Sequence, residues 1–328
     1  MQVVQNPNIT VLRSETNRII EAHNGHFLTL SIIFFLPLSS FYLFHPTLFF
    51  QLLNHFYPLL NYQTTLNPNP LFLYLLYSLF VTFFSFCGIS SITYSIFHGF
   101  YNGTQPLNLI PSIKSIFTSF LPLLATTIVL KLIFLFISLF FSLLLLLLIL
   151  GTQILGITSI YFPGFNAALV VLPWLFVVVY LQVTWTLVPV IVVLESCWGF
   201  EALRRSASLM KGMKIVALTL LLFFGFMEGI LIWFSTVVGV LTMGFPNGIP
   251  IMKEFFRWGG VFLTLIVAKS PTLMIFLLLN TAANTVLYIL CKDIHGERVE
   301  KKSEKDYVAL YKEVYSLVKI IRLLKSLI

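Results

Sequence analysis

Charged side chains are scarce in this sequence. They make up 10% of its 328 residues, against about a quarter of an ordinary soluble domain. That shortage excludes a large water-soluble fold, because the polar groups present cannot cover the apolar surface that would need hiding. Cysteine is rarer still. Cys87, Cys197 and Cys291 stand alone, with no CxxC pair and no histidine at ligand spacing, so neither a disulfide framework nor a zinc site is indicated. The first 26 residues carry Arg13, Glu15, Arg18 and Glu21 and lack a short apolar stretch ending in a small-residue cleavage site. No removable signal peptide is expected, and the first span itself serves as insertion signal.

What is present is apolar. Hydrophobic residues make up 58% of the chain, phenylalanine alone accounts for 34 positions, and the mean hydropathy is +0.95. A bilayer core of about 30 Å takes roughly 20 helical residues. Uncharged or nearly uncharged runs of that order fall at Phe27–Phe44, Leu71–Phe100, Leu121–Leu150, Phe165–Leu194, Ile215–Met243 and Gly260–Leu290. The expectation is an all-α, polytopic transmembrane bundle of about six spans, with interfacial amphipathic helices near Asn108–Phe120 and Ser196–Gly212. Three parts follow: a cytoplasmic segment over 1–26, the six-span domain over 27–291, and a basic cytoplasmic tail over 292–328.

Orientation comes from lysine and arginine, which cytoplasmic loops retain. With both termini inside, all but four of the 20 cations lie on the inner side. The exceptions are Lys253 and Arg257 in an outer loop and Lys131 and Lys269 within apolar runs. The sequons Asn8-Ile9-Thr10 and Asn102-Gly103-Thr104 would then face the cytosol and stay unmodified. The C-terminal residues form neither a lysine retrieval signal nor a KDEL ending. That leaves the endoplasmic reticulum, the plasma membrane and other compartments open, the first two being the expectation.

The most informative segment follows span four. Read as a helix, it puts Phe200, Leu203, Ala207 and Met210 on one face and Glu201, Arg204, Arg205, Ser208 and Lys211 largely opposite. Such a helix lies in the cytoplasmic interface, with Arg204, Arg205 and Lys211 positioned for lipid headgroups or a partner. The plainer reading is that it only fixes the turn between spans four and five. Glu201 and Arg205 have the i,i+4 spacing of a surface pair.

The pattern Glu195, then Ala202-Leu203-Arg204-Arg205-Ser206, then Lys211-Gly212 resembles one in the six-span membrane domain fused to some bacterial glycerophosphoryl diester phosphodiesterases. Related stand-alone membrane proteins, including uncharacterised plant ones, are similar. Leu107–Leu124, with Ser112, Lys114 and Phe117, and Thr285-Val286-Leu287-Tyr288 agree with it. The resemblance implies a six-helix membrane module without the hydrolase, which belongs to a separate soluble domain. The motif residues it marks are Glu195, Glu201, Ser206 and Gly212.

Catalytic chemistry has no foothold in the residues. His23, His26, His45, His55, His98 and His295 are dispersed and uncoupled to carboxylate clusters, so neither catalytic residues nor a cofactor are expected. The outstanding polar group is Glu228, midway along an apolar run, because a charge there costs about 2.5–3.5 kcal/mol on insertion scales. It is a candidate proton or cation site, or else a protonated or paired structural glutamate with Lys131 or Lys269 as partner. Gly225 and Gly229 beside it would permit close helix approach. Pro37, Pro122, Pro173, Pro189 and Pro271 lie in or near spans, where they open helices in some transporters.

In the tail, Tyr307, Leu310, Val314, Leu317, Ile321, Leu324 and Ile328 form a helical seam beside lysines. That pattern suits an amphipathic helix on the cytoplasmic leaflet, or self-association or a membrane-protein partner. Membrane lipids are the expected partners, and nucleic acid is not, since topology already accounts for the positive charge. Two functions follow as expectations. The first is a non-enzymatic membrane protein that organises lipids or partners, and the alternative is a small-solute or lipid transporter or channel using Glu228.

Overall fold

The computed structural model describes residues 9–45, 69–102, 107–154, 162–243 and 251–297, and among them every regular element is a helix. In chain order these are α1 (Ile9–Ala22), α2 (Asn24–His45), α3 (Asn69–Asn102), α4 (Leu109–Ile154), α5 (Phe162–Thr184), α6 (Val188–Glu195), α7 (Phe200–Leu209), α8 (Lys214–Met243) and α9 (Ile251–Ile294). Among the described residues six stretches are long and apolar enough to cross a membrane: Asn24–His45, Phe72–Tyr101, Leu109–Ile154, Ala167–Glu195, Lys214–Val237 and Val267–Ile294. They coincide with the six runs expected from the sequence.

The chain divides into two units, Met1–Ile289, which holds the bundle, and Leu290–Ile328. Of the second unit, residues 290–297 are described. There α9 closes with Gly296 at φ 70°, its N–H on Asp293 O at 3.1 Å and that of Glu297 on Lys292 O at 3.1 Å. This is the double hydrogen bond of a Schellman motif, which satisfies the last carbonyls at a position glycine occupies without steric cost. The expected tail helix over Tyr307–Ile328 lies outside the described residues.

Polarity in the bundle points inward. On α4, Ser112, Ser115 and Ser119 are buried, whereas Ile110, Phe117 and Leu121 are exposed. That arrangement would be inverted in water and is what lipid demands. The serines meet α3, where Ser95 Oγ donates to Ser112 Oγ at 2.8 Å and Ser115 Oγ to Ser90 O at 3.3 Å. Small hydroxyl residues of this kind let two helices approach closely and join across a lipid-solvated seam.

The segment near Asn108–Phe120 is therefore not a separate interfacial helix. It is the first part of a helix of 46 residues, about 69 Å long at 1.5 Å per residue, and the helix runs unbroken through Pro122. Two irregularities interrupt the other spans. A π-helical turn over Ser31–Phe35 sits inside α2, and span four breaks at residues 185–187 between α5 and α6.

Candidate functional site

Both irregularities border one half-open cavity of about 310 Å³ between the helices. Phe35 comes from the π turn, and Thr186 and Pro189 from the break in span four. A break leaves backbone groups without helical partners, which is tolerated in a membrane only where they are buried in protein or line a cavity. At this one Trp185 N donates to Leu181 O at 2.9 Å and Val188 N to Trp185 O at 3.1 Å. Pro189 then restarts the helix in the first turn, where its missing N–H costs nothing.

The polar lining comes from five elements: Tyr42 on α2, Ser85 and Thr93 on α3, Thr186, Glu228 on α8, and Asn280, Thr281 and Asn284 on α9. Glu228 sits midway along the 30-residue α8. Asn280 Nδ2 donates to its Oε1 at 3.4 Å, and Asn284 Nδ2 donates to Asn280 Oδ1 at 3.0 Å. The amides thus form a short ladder whose donors point toward the carboxylate. Among the described residues, no lysine, arginine or histidine lines the cavity. Lys131 is exposed, and Lys269 Nζ lies 3.2 Å from the centroid of the Phe234 ring, a cation–π contact.

Gly88 shapes the wall. A Cβ there would run into the ring of Phe35, so glycine is what lets that ring pack against α3. Gly225 and Gly229 have no such duty, since nothing approaches their Cβ positions within 4 Å. They mark an open strip of α8, not the close crossing expected from their spacing.

The motif after span four forms a second polar centre. α6 ends at Ser196 in the left-handed conformation (φ 57°). Gly199 follows at φ 64°, ψ −136°, a region only glycine occupies readily. Its N–H donates to Thr126 Oγ1 on α4 at 2.9 Å. The turn lays α7 across the bundle with Ala202, Leu203, Ser206 and Leu209 buried. Ser206 Oγ donates to Thr184 O at 2.8 Å, and Gly212 reverses the chain at φ 92°.

Arg205 turns inward to Glu195, Nε to Oε2 at 3.0 Å and Nη2 to Oε1 at 3.4 Å. Tyr288 donates to Glu195 Oε1 at 2.7 Å. Glu201 is exposed in the first turn of α7, where its charge suits the helix dipole. The pair set by folding is thus Glu195–Arg205, and the i,i+4 pairing of Glu201 with Arg205 is not formed. Arg204 and Lys211 remain exposed, as do Trp198 and Phe200.

Of the polar lining, the sequence singles out Glu228 and does not reveal Tyr42, Ser85, Thr93, Thr186, Asn280, Thr281 or Asn284. The one available signal was the i,i+4 spacing of the two asparagines in an apolar span. Among the described residues, fold and cavity together define an all-α bundle with six helices long and apolar enough to cross a membrane and a carboxylate in a cavity between them. A family model described as Domain of unknown function (DUF8558) matches residues 2–323, and the chain belongs to that family. No curated protein and no solved structure matches it.

Proposed function

We propose that this protein is a non-enzymatic, multi-pass transporter or channel whose mid-bundle cavity takes a small cation or ammonium-bearing solute, with Glu228 as the principal contact. The observation that carries the reading is a carboxylate in a cavity between apolar helices, lined by polar and apolar side chains alike and with no lysine, arginine or histidine among the described lining residues. An isolated charge there is costly, and such residues mark ion or substrate pathways. The discontinuous fourth span beside it is the second support, because transporter sites are commonly built on broken helices. In this reading both termini are cytoplasmic, in the endoplasmic reticulum or plasma membrane. The resemblance to the phosphodiesterase-associated domain enters as a six-helix module without hydrolase chemistry.

The test is uptake of sodium, potassium and methylammonium into proteoliposomes. At least one is expected to accumulate beyond protein-free liposomes, and Glu228→Gln to abolish the excess. Uptake indifferent to Glu228→Gln, or no uptake of any of the three, would overturn the proposal.

A second reading rests on α7. Exposed Trp198 and Phe200 beside exposed Arg204 and Lys211 suit the headgroup level, where aromatic rings and cations settle. On this reading the corner also organises anionic lipids. Replacing Arg204 and Lys211 together is expected to remove a preference for anionic liposomes, and an unchanged preference would refute it.

A further inference from the structure

The polar path does not stop at the cavity. α9 carries Asn280, Asn284 and Tyr288 at four-residue steps, which keeps them near one face and covers about 12 Å of helix axis at 1.5 Å per residue. Hydrogen bonds tie one end of this row to Glu228 and the other to Glu195. Tyr288 is 1% exposed, while the side chains of Glu195 and Arg205 are 14% and 28% exposed. Glu228 thus faces the cavity, and Glu195 at the end of α6 is partly exposed. A row of amides and a phenol between two carboxylates is expensive in an apolar bundle and is not needed to hold a single pair of helices together.

Resting on the cavity reading above, we infer that the row is a proton pathway between Glu228 and Glu195, with Tyr288 as its relay. The 2.7 Å contact between Tyr288 and Glu195 suits a proton as the cargo, because two oxygens at ordinary hydrogen-bond distance leave no room for a larger ion between them. A proton leaves the Glu228 carboxyl for a water held beside the Asn284 amide. The resulting hydronium gives a proton to the Tyr288 oxygen as the proton already on that hydroxyl moves to Glu195 Oε1. Glu228 ends as a carboxylate and Glu195 as a carboxylic acid, so charge is conserved. Glu195 then releases its proton at the surface and Arg205 pairs with the carboxylate that remains. At Glu228, proton and cargo cation are alternatives.

Proteoliposomes loaded with a pH-sensitive dye test this. An imposed pH gradient is followed with sodium, potassium and methylammonium on both sides and potassium–valinomycin to clear the potential. The wild type is expected to collapse the gradient faster than protein-free liposomes. Tyr288→Phe, which keeps the ring and removes the hydroxyl, is expected to lose that excess while keeping cation uptake. Asn284→Leu, remote from the α7 corner, is expected to lose it as well and guards against a Tyr288→Phe that fails to fold. No proton flux in the wild type, or flux unchanged in both variants, overturns the pathway. In that case cation uptake that still depends on Glu228 leaves the cavity reading standing, whereas its loss removes both.

Discussion

Tyr288 donates its hydroxyl to Glu195 across 2.7 Å, joining α9 to the end of α6 over 93 residues of sequence. The same carboxylate holds Arg205 of α7, so one side chain fixes three helices. A hydrogen bond to a charged group is worth about 1.5–3 kcal/mol. Tyr288→Phe is expected to lower stability by that amount in thermal unfolding of the detergent-solubilised protein.

Arg205→Ala removes the counter-charge of a mostly buried carboxylate. Breaking a buried pair costs about 3–5 kcal/mol, and the partial exposure of both side chains places this case toward the lower end. The double variant Arg205→Ala, Glu195→Gln is expected to cost less than the two single changes added together. A double-mutant cycle by unfolding checks this, and strict additivity would mean that the two groups do not interact.

Three glycines separate backbone need from mere smallness. Gly199→Ala forces a side chain into a glycine-only region at an expected cost of about 1–3 kcal/mol. Gly88→Ala displaces the Phe35 ring, an overpacking cost of about 1–3 kcal/mol, and distorts the cavity wall. Gly225→Ala enters open space on a helix and is expected to be neutral or to stabilise by about 0.5–1 kcal/mol. Parallel melting curves give the order, and a Gly225→Ala loss as large as that of Gly199→Ala would contradict this account of the corner.

Topology has its own readout. In microsomes the native sequons at Asn8 and Asn102 are expected to stay unmodified, and sequons introduced into residues 46–68 and 155–161 to be glycosylated. The reverse pattern would invert the map and move Arg204 and Lys211 away from the cytosolic leaflet.

The spans were legible because bilayer thickness imposes a length that composition alone reveals, and all six runs matched helices. Where the runs were apolar all round, no face was marked as inner. Pairings such as Asn280 with Glu228 or Tyr288 with Glu195 were invisible for that reason. Glu201 and Arg205 show the same limit, since helical spacing proposed a local pair and the turn at Ser196–Gly199 presented Glu195 instead. α1 was legible in principle from Leu12, Thr16 and Ile19, which repeat every three to four residues and are buried. The π turn in α2 and the break at residues 185–187 leave no sequence mark beyond Pro189, yet both border the cavity.

The central claim, that Glu228 faces a cavity open to small cations, is tested most directly by reacting the reconstituted protein with dicyclohexylcarbodiimide and mapping the adduct by mass spectrometry. The account predicts modification at Glu228, absent in Glu228→Gln and suppressed by whichever of sodium, potassium or methylammonium the protein takes up. An unreactive Glu228, or one modified equally with and without those cations, would contradict it.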